Sequence, residues 1–181
     1  REDLIGLEAT LIDVAIPMVL LRAADLGITG YEDPATLDAN RELLRRIEAM
    51  RCEAGRRMGL GDVANSVIPK VGLLAVPRSG GTVSSRYLVP HATHAAHAVT
   101  GAICVAAASV LPGSVGADVA APTSGNDRRI VVEHPSGSLE VALTTREGPG
   151  GLEIVSGGVV RTARKLMSGS AYVSAATWGM P

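Results

Sequence analysis

Apolar residues fall along this chain in three kinds of run. Residues 95–111 are almost wholly small or apolar, from Ala95 and Ala96 through Ala106, Ala107 and Ala108 to Val110 and Leu111. A helix without a polar face is a buried one, and the alanine content favours helix. The run is too short and too interrupted for a membrane span, which needs about 20 apolar residues. Pro112-Gly113 ends it. A second kind of run covers residues 34–58, where Leu37, Leu43, Leu44, Ile47 and Met50 share one side of a helix. Arg41, Glu42, Arg45, Arg46, Glu48 and Arg51 mark its solvent side. The third kind is short and strand-like. Residues 11–23 read as a strand, a kink at Pro17 and a second strand; 71–76 and 82–89 follow. After a Gly/Pro/Ser-rich connection over 113–126 come strands at 129–133, 138–145, 152–155 and 159–163, with a further one at 169–173. No internal repeat is visible. The pattern predicts a single α+β domain over residues 1–181, a mixed sheet curled around one buried helix with an amphipathic helix outside.

Composition narrows the class. The chain has 181 residues and a net charge of −1, with no long block of like charge. That argues against nucleic acid or an anionic membrane as the main partner. Three Tyr, one Trp and no Phe leave few aromatics for base stacking and require a core of Val, Leu, Ile and Ala. Two cysteines, Cys52 and Cys104, do not make a disulfide framework. With no signal peptide in view, a cytoplasmic protein is expected. The chain begins at Arg1, and a piece of a longer protein is expected.

Candidate chemistry gathers at the N-terminal side of the apolar helix. Unpaired N–H groups and the positive end of the dipole make a helix start an anion site. Thr100-Gly101 fits that reading, with Gly giving an anion access to the backbone. It equally fits a Gly kept for close helix packing. His91, His94 and His97 have no Asp, Glu or Cys nearby to complete a metal site; a hydrogen bond from one of them to a bound anion is a better reading than a metal, and solvated loop histidines are the plain alternative. Cys104 reads as a small core residue. Cys52, in an Arg-rich stretch, is a candidate for a lowered pKa. Glu133-His134-Pro135-Ser136-Gly137 is either a polar turn or a site-lining loop. Arg161, Arg164 and Lys165 are either a solvated face or a carboxylate clamp.

Ala98-Val99-Thr100-Gly101-Ala102-Ile103-Cys104, preceded by His94, resembles the central-helix motif of the PrpF-like isomerases. Leu11-Ile12-Asp13 followed by Pro17, Pro69-Lys70, Glu133 to Gly137, and Arg161 to Met167 resemble further motifs of that family, in the family's order. The resemblance implies half of a diaminopimelate-epimerase-like fold, in which each half is a sheet wrapped around a helix and the active site lies between the halves. It implies isomerisation or tautomerisation of small unsaturated di- or tricarboxylates by allylic proton transfer, without a cofactor or metal. Methylaconitate cis–trans isomerase, oxalomesaconate tautomerase and methylitaconate isomerase are family examples.

The same resemblance matches this chain to the C-terminal half. The family's proton-transferring Lys and Cys belong to the N-terminal half, so catalytic residues are expected there and none is assigned here. Substrate-binding residues are expected at Thr100, Gly101 and Ala102, with His94 and Ser85 as helpers. The helix start is the point at issue: propensity favours Thr93, a good cap, whereas the resemblance favours Thr100, which is adopted. Two departures from the family pattern are Ile16, where Asn is common before the Pro, and Ala95 with His97, where an Arg and an aromatic are common. An epimerase or racemase on the same fold is the enzymatic rival, disfavoured because Ala98 stands where those enzymes carry a thiol. A non-catalytic binding domain is the other. Expected partners are a small carboxylate and the N-terminal half. This chain alone is expected to be inactive and to self-associate through its uncovered cleft face, as a homo-oligomer.

Overall fold

The computed structural model describes residues 1–179. Eight strands lie in one sheet in sequence order: β1 (Glu2–Leu4), β2 (Leu7–Asp13), β3 (Pro17–Arg22), β4 (Lys70–Ala75), β5 (Val83–Leu88), β6 (Asp127–His134), β7 (Gly137–Gly148) and β8 (Gly151–Val159). Five of the seven ladders are antiparallel; β3–β4 and β5–β6 are parallel. Each parallel pair requires a crossover. The first is made by α1 (Pro34–Ala39) and α2 (Arg41–Arg57), the second by α3 (Val99–Val110) and α4 (Val115–Val119). A last short helix, α5, is Ala175–Trp178.

The sheet wraps around α3, which packs against β2 through β8. Ala102, Cys104, Val105, Ala106, Ala107 and Ala108 are all fully buried. Their small side chains let the strands close on the helix. β3 and β4 are buried on both faces, which explains their unbroken apolar runs. Met18, Leu20 and Leu74 face the α3 core. Val19, Leu21, Val71 and Leu73 face a second core, closed from outside by Leu37, Leu43, Ile47 and Met50. The expected architecture is therefore present, with α2 as the outer amphipathic helix.

Several local expectations are corrected. The helix expected over 34–58 is two helices, because the Asn40 side chain accepts the Leu43 N–H at 3.1 Å and caps α2. Arg51 is not on the solvent side: it is fully buried. Its guanidinium bonds Glu48 at 2.7 and 2.8 Å and the carbonyls of Val63, Ser66 and Ile68, which cover it. The kink at Pro17 is a hairpin reversal, with Asp13 opposite Pro17 and Ile12 opposite Met18. The strand expected at 152–155 runs on to Val159 as β8, and the one expected at 159–163 does not form, residues 160–163 having no regular structure. Gly157 lies inside β8 because Ile103 occupies the space a Cβ would need. The connection after α3 contains α4, capped by the Ser114 hydroxyl on the Ala117 N–H at 3.0 Å. No strand forms over 169–173, a segment that is exposed throughout. β1 and the start of β2 carried no sequence expectation.

Candidate active-site wall

α3 begins where the resemblance places it rather than where propensity does. Residues 94–98 are non-helical, Ala98 is the N-cap (φ −73°, ψ 144°), and no side chain caps the helix. The first intrahelical bond runs from the Ala102 N–H to the Ala98 carbonyl at 2.9 Å. Ala102 therefore has no free N–H to offer, which corrects its expected role. Val99, Thr100 and Gly101 remain as donors, and no acceptor meets their N–H groups among the described residues. Val99 and Thr100 are exposed while Gly101 is buried.

The lead-in to α3 is held by His97, which the sequence offers as an anion donor and as a departure from the family pattern. His97 is buried, and its ring lies 4.7 Å from that of Tyr87. Its Nδ1 is 3.0 Å from the Ala98 carbonyl and its Nε2 is 3.1 Å from the Ser85 hydroxyl. A carbonyl can only accept, so Nδ1 carries the proton and Nε2 accepts from Ser85. Burial pushes the His97 pKa from 6.5 down to about 4, against the Ala98 bond, which raises it; neighbouring His134 and His94 lower it further. The ring is neutral near pH 7 and fixes the carbonyl that starts the helix. Ser85 is fully buried and gives its hydroxyl proton to this ring. It supports the site from behind instead of facing a ligand, a correction to its expected role.

His94 keeps one ring N–H free. It is half-buried, and its Nδ1 accepts the Ala96 N–H at 3.0 Å, which leaves the proton on Nε2 as a donor. Ser136 donates to the Ala95 carbonyl at 2.8 Å, so the β6–β7 turn braces the same lead-in. Burial is the first cause of a lowered His134 pKa, opposed by a hydrogen bond from its ring to the Ser138 backbone and helped by the charges of Arg161, Arg86 and His94. His91 lies apart, 3.7 Å from Glu48. His94 and His97 thus share the Tyr87 ring, and His91 stands away from both. Arg161, Arg164 and Lys165 are exposed.

Glu133 is the turn's structural member. Its carboxylate accepts the backbone N–H groups of Arg78 (2.8 Å), Ser79 (2.6 Å) and Gly81 (2.8 Å). Burial pushes its pKa up, but those three bonds and Arg86 outweigh it and hold the group below the usual glutamate range. Cys104 is core, its thiol 3.2 Å from the Ile16 carbonyl. The Cys52 pKa is raised, not lowered: burial and the Glu48 carboxylate, 3.3 Å from the sulfur, outweigh Arg51. Lys70 is lowered by burial and then by Arg51.

The packing reading of Gly101 is borne out. A Cβ there would run into the Tyr87 ring, so the glycine is needed for close packing. Gly101→Ala should cost on the order of 1–2 kcal/mol of stability, an overpacking penalty partly offset by better helix propensity. Thermal unfolding of the variant checks this, and a melting temperature equal to that of the wild type would show that Tyr87 yields without cost.

Comparison with known proteins bears on this wall. The family model described as PrpF protein matches residues 3–174. 4-Oxalomesaconate tautomerase of Pseudomonas putida is 44% identical over 182 residues, covering 100% of this chain and 49% of that protein. (4E)-Oxalomesaconate Delta-isomerase of a Novosphingobium strain is 46% identical over 168 residues, covering 93% and 46%. The chain thus spans about half the length of these relatives. A crystal structure of methylitaconate-delta-isomerase superposes with a TM-score of 0.76 at 23% identity, covering 93% of this chain and 50% of that one, which shows the likeness of fold. No helix of the described residues is long and apolar enough to cross a membrane. By its family match and these relatives, the chain belongs to the PrpF family.

Proposed function

We propose that this chain is the C-terminal, carboxylate-anchoring half of a cofactor-independent isomerase or tautomerase of small unsaturated di- or tricarboxylates, built on the diaminopimelate-epimerase-like fold. The observation that carries the reading is the uncapped start of α3 in a member of this family, with the Val99, Thr100 and Gly101 N–H groups unpaired and Val99 and Thr100 exposed. The two oxalomesaconate enzymes among its relatives favour an acid of that class.

In this reading a substrate carboxylate sits on those N–H groups, assisted by the Thr100 hydroxyl and the His94 Nε2–H. A base from the other half removes a proton from the allylic carbon. The released electron pair moves through the double bond toward the carboxylate and forms a dienolate-like anion. The proton then returns at the far carbon as the double bond shifts. Fixed donors aimed at the developing charge stabilise it without reorganising at the moment of reaction. His97 and Ser85 act by fixing the Ala98 carbonyl, and so the direction of the first turn.

The test is a screen of the intact protein against unsaturated tricarboxylates in deuterated water, following deuterium incorporation by NMR. Exchange into at least one such acid is expected; none across the class, with the protein folded, would favour a binding domain without chemistry. In the same assay Thr100→Val removes one hydroxyl donor from the carboxylate. It should weaken substrate binding by on the order of 1–3 kcal/mol, read in KM, with little change in stability. An unchanged KM would remove this helix end from the site.

A further inference from the structure

The face of β5 turned away from α3 carries a second concave surface. A cleft of about 480 Å³ is lined there by Tyr31, Arg78, Ser84, Arg86, Glu133 and Ser138, among others. Strand alternation sets it on the opposite side of β5 from Ser85 and Tyr87, which face the α3 core.

Arg86 is the group that needs explaining. It is 6% exposed, a burial that charged residues seldom reach without a partner. Its Nε bonds the Glu32 carbonyl at 2.6 Å and its Nη1 the Ser85 carbonyl at 3.2 Å, both neutral acceptors. No carboxylate pairs with it within salt-bridge distance, and Nη2 has no protein acceptor among the described residues. Glu133 lies in the same cleft, but its two oxygens already take three backbone N–H groups. At the rim, Arg78 is exposed and its guanidinium carbon sits 3.4 Å above the Tyr31 ring, a cation–π contact that holds the charge in place. The Tyr31 hydroxyl is anchored in turn on the Val76 carbonyl at 2.8 Å. Two carboxylates act on Arg86 from a distance, those of Glu32 and Glu133, and each is already spent on backbone N–H groups.

We propose that this outer-face cleft binds a small oxyanion, a carboxylate or a phosphate, between the unpartnered Nη2 of Arg86 and the guanidinium of Arg78. Planar guanidinium groups match the geometry of both anions. The site lies across β5 from the start of α3 and does not depend on the function proposed for it. Because Arg86 also bonds the Ser85 carbonyl, and the Ser85 hydroxyl bonds His97, an anion here touches the strand that supports the α3 lead-in.

The test titrates the intact protein with inorganic phosphate and, separately, with citrate at constant ionic strength, following backbone amide shifts. Saturable shifts are expected at Gly81, Ser84 and Ser138. Arg78→Ala, an exposed change, should weaken them about tenfold. Arg86→Lys should do the same, with its amide spectrum as the check of folding; should it misfold, Arg78→Ala still decides. Saturation by phosphate alone identifies a phosphate site, and by citrate alone a carboxylate site. Shifts confined to Thr100 and Gly101, no saturation by either anion, or an affinity unchanged in Arg78→Ala would overturn the proposal.

Discussion

Taking the chain from pH 7 to below pH 4 should remove about 3 kcal/mol of stability through His97 alone. The unfolded histidine titrates near 6.5, while burial holds the folded one at about 4. Between those values the unfolded state binds the proton and the folded state does not, so stability rises with pH. The contribution is fully present above about pH 6.5, falls as pH drops through the window, and is gone below the folded pKa. A difference of about 2.5 pH units corresponds to about 3 kcal/mol. His97→Phe keeps an aromatic against Tyr87 and removes the titration, at the cost of the unpaired Ser85 hydroxyl. Urea unfolding of both proteins from pH 7.5 to 4 checks this. His134 and Glu133 also titrate in acid, so the relevant quantity is the difference between wild type and variant. That difference should shrink as pH falls; parallel curves would show that His97 is not held neutral by its surroundings.

Glu133→Gln should cost on the order of 2–4 kcal/mol at pH 7. The carboxylate's two oxygens serve three backbone N–H groups of the 78–81 turn. Glutamine has one carbonyl oxygen, and its NH2 would face a donor. A lost charge-assisted bond costs about 1.5–3 kcal/mol, and a buried donor left unpaired adds to that. The folded carboxylate has a lowered pKa, so its contribution is present above the unfolded value and lost as pH falls through the folded one. The gap between wild type and variant should therefore be largest near neutrality and narrow in strong acid. Equal denaturation midpoints at pH 7 would mean that the turn keeps its shape without Glu133.

What was legible in the sequence follows period and composition. The buried helix could be read because residues 102–108 carry no polar side chain, and the outer helix because Leu43, Ile47 and Met50 recur at helical spacing. The start of α3 could not be read from propensity. Ala95 and Ala96 favour helix, but tertiary contacts hold that segment extended: His94 N–H bonds the Tyr87 carbonyl and Ser136 the Ala95 carbonyl. Only motif resemblance placed the start near Thr100. Arg51 looked solvated because its spacing does, and the carbonyls that bury it come from a loop with no periodic signal. His97 and Glu133 were visible as residue types, yet their roles depend on partners 12 and 52–55 positions away. The outer cleft had one sequence signal, the 133–137 loop that lines it, while Arg86 had none because it sits in a strand whose residues are all buried.

The central claim is that this chain anchors the substrate while the other half of the protein supplies the proton-transferring groups. Its most direct test is deuterium incorporation into the substrate acid identified with the intact protein, measured first with this chain alone and then after adding the separately expressed other half. The account expects no exchange above background from this chain and restored exchange on mixing. Exchange by this chain alone, at a rate comparable with the mixture, would contradict it.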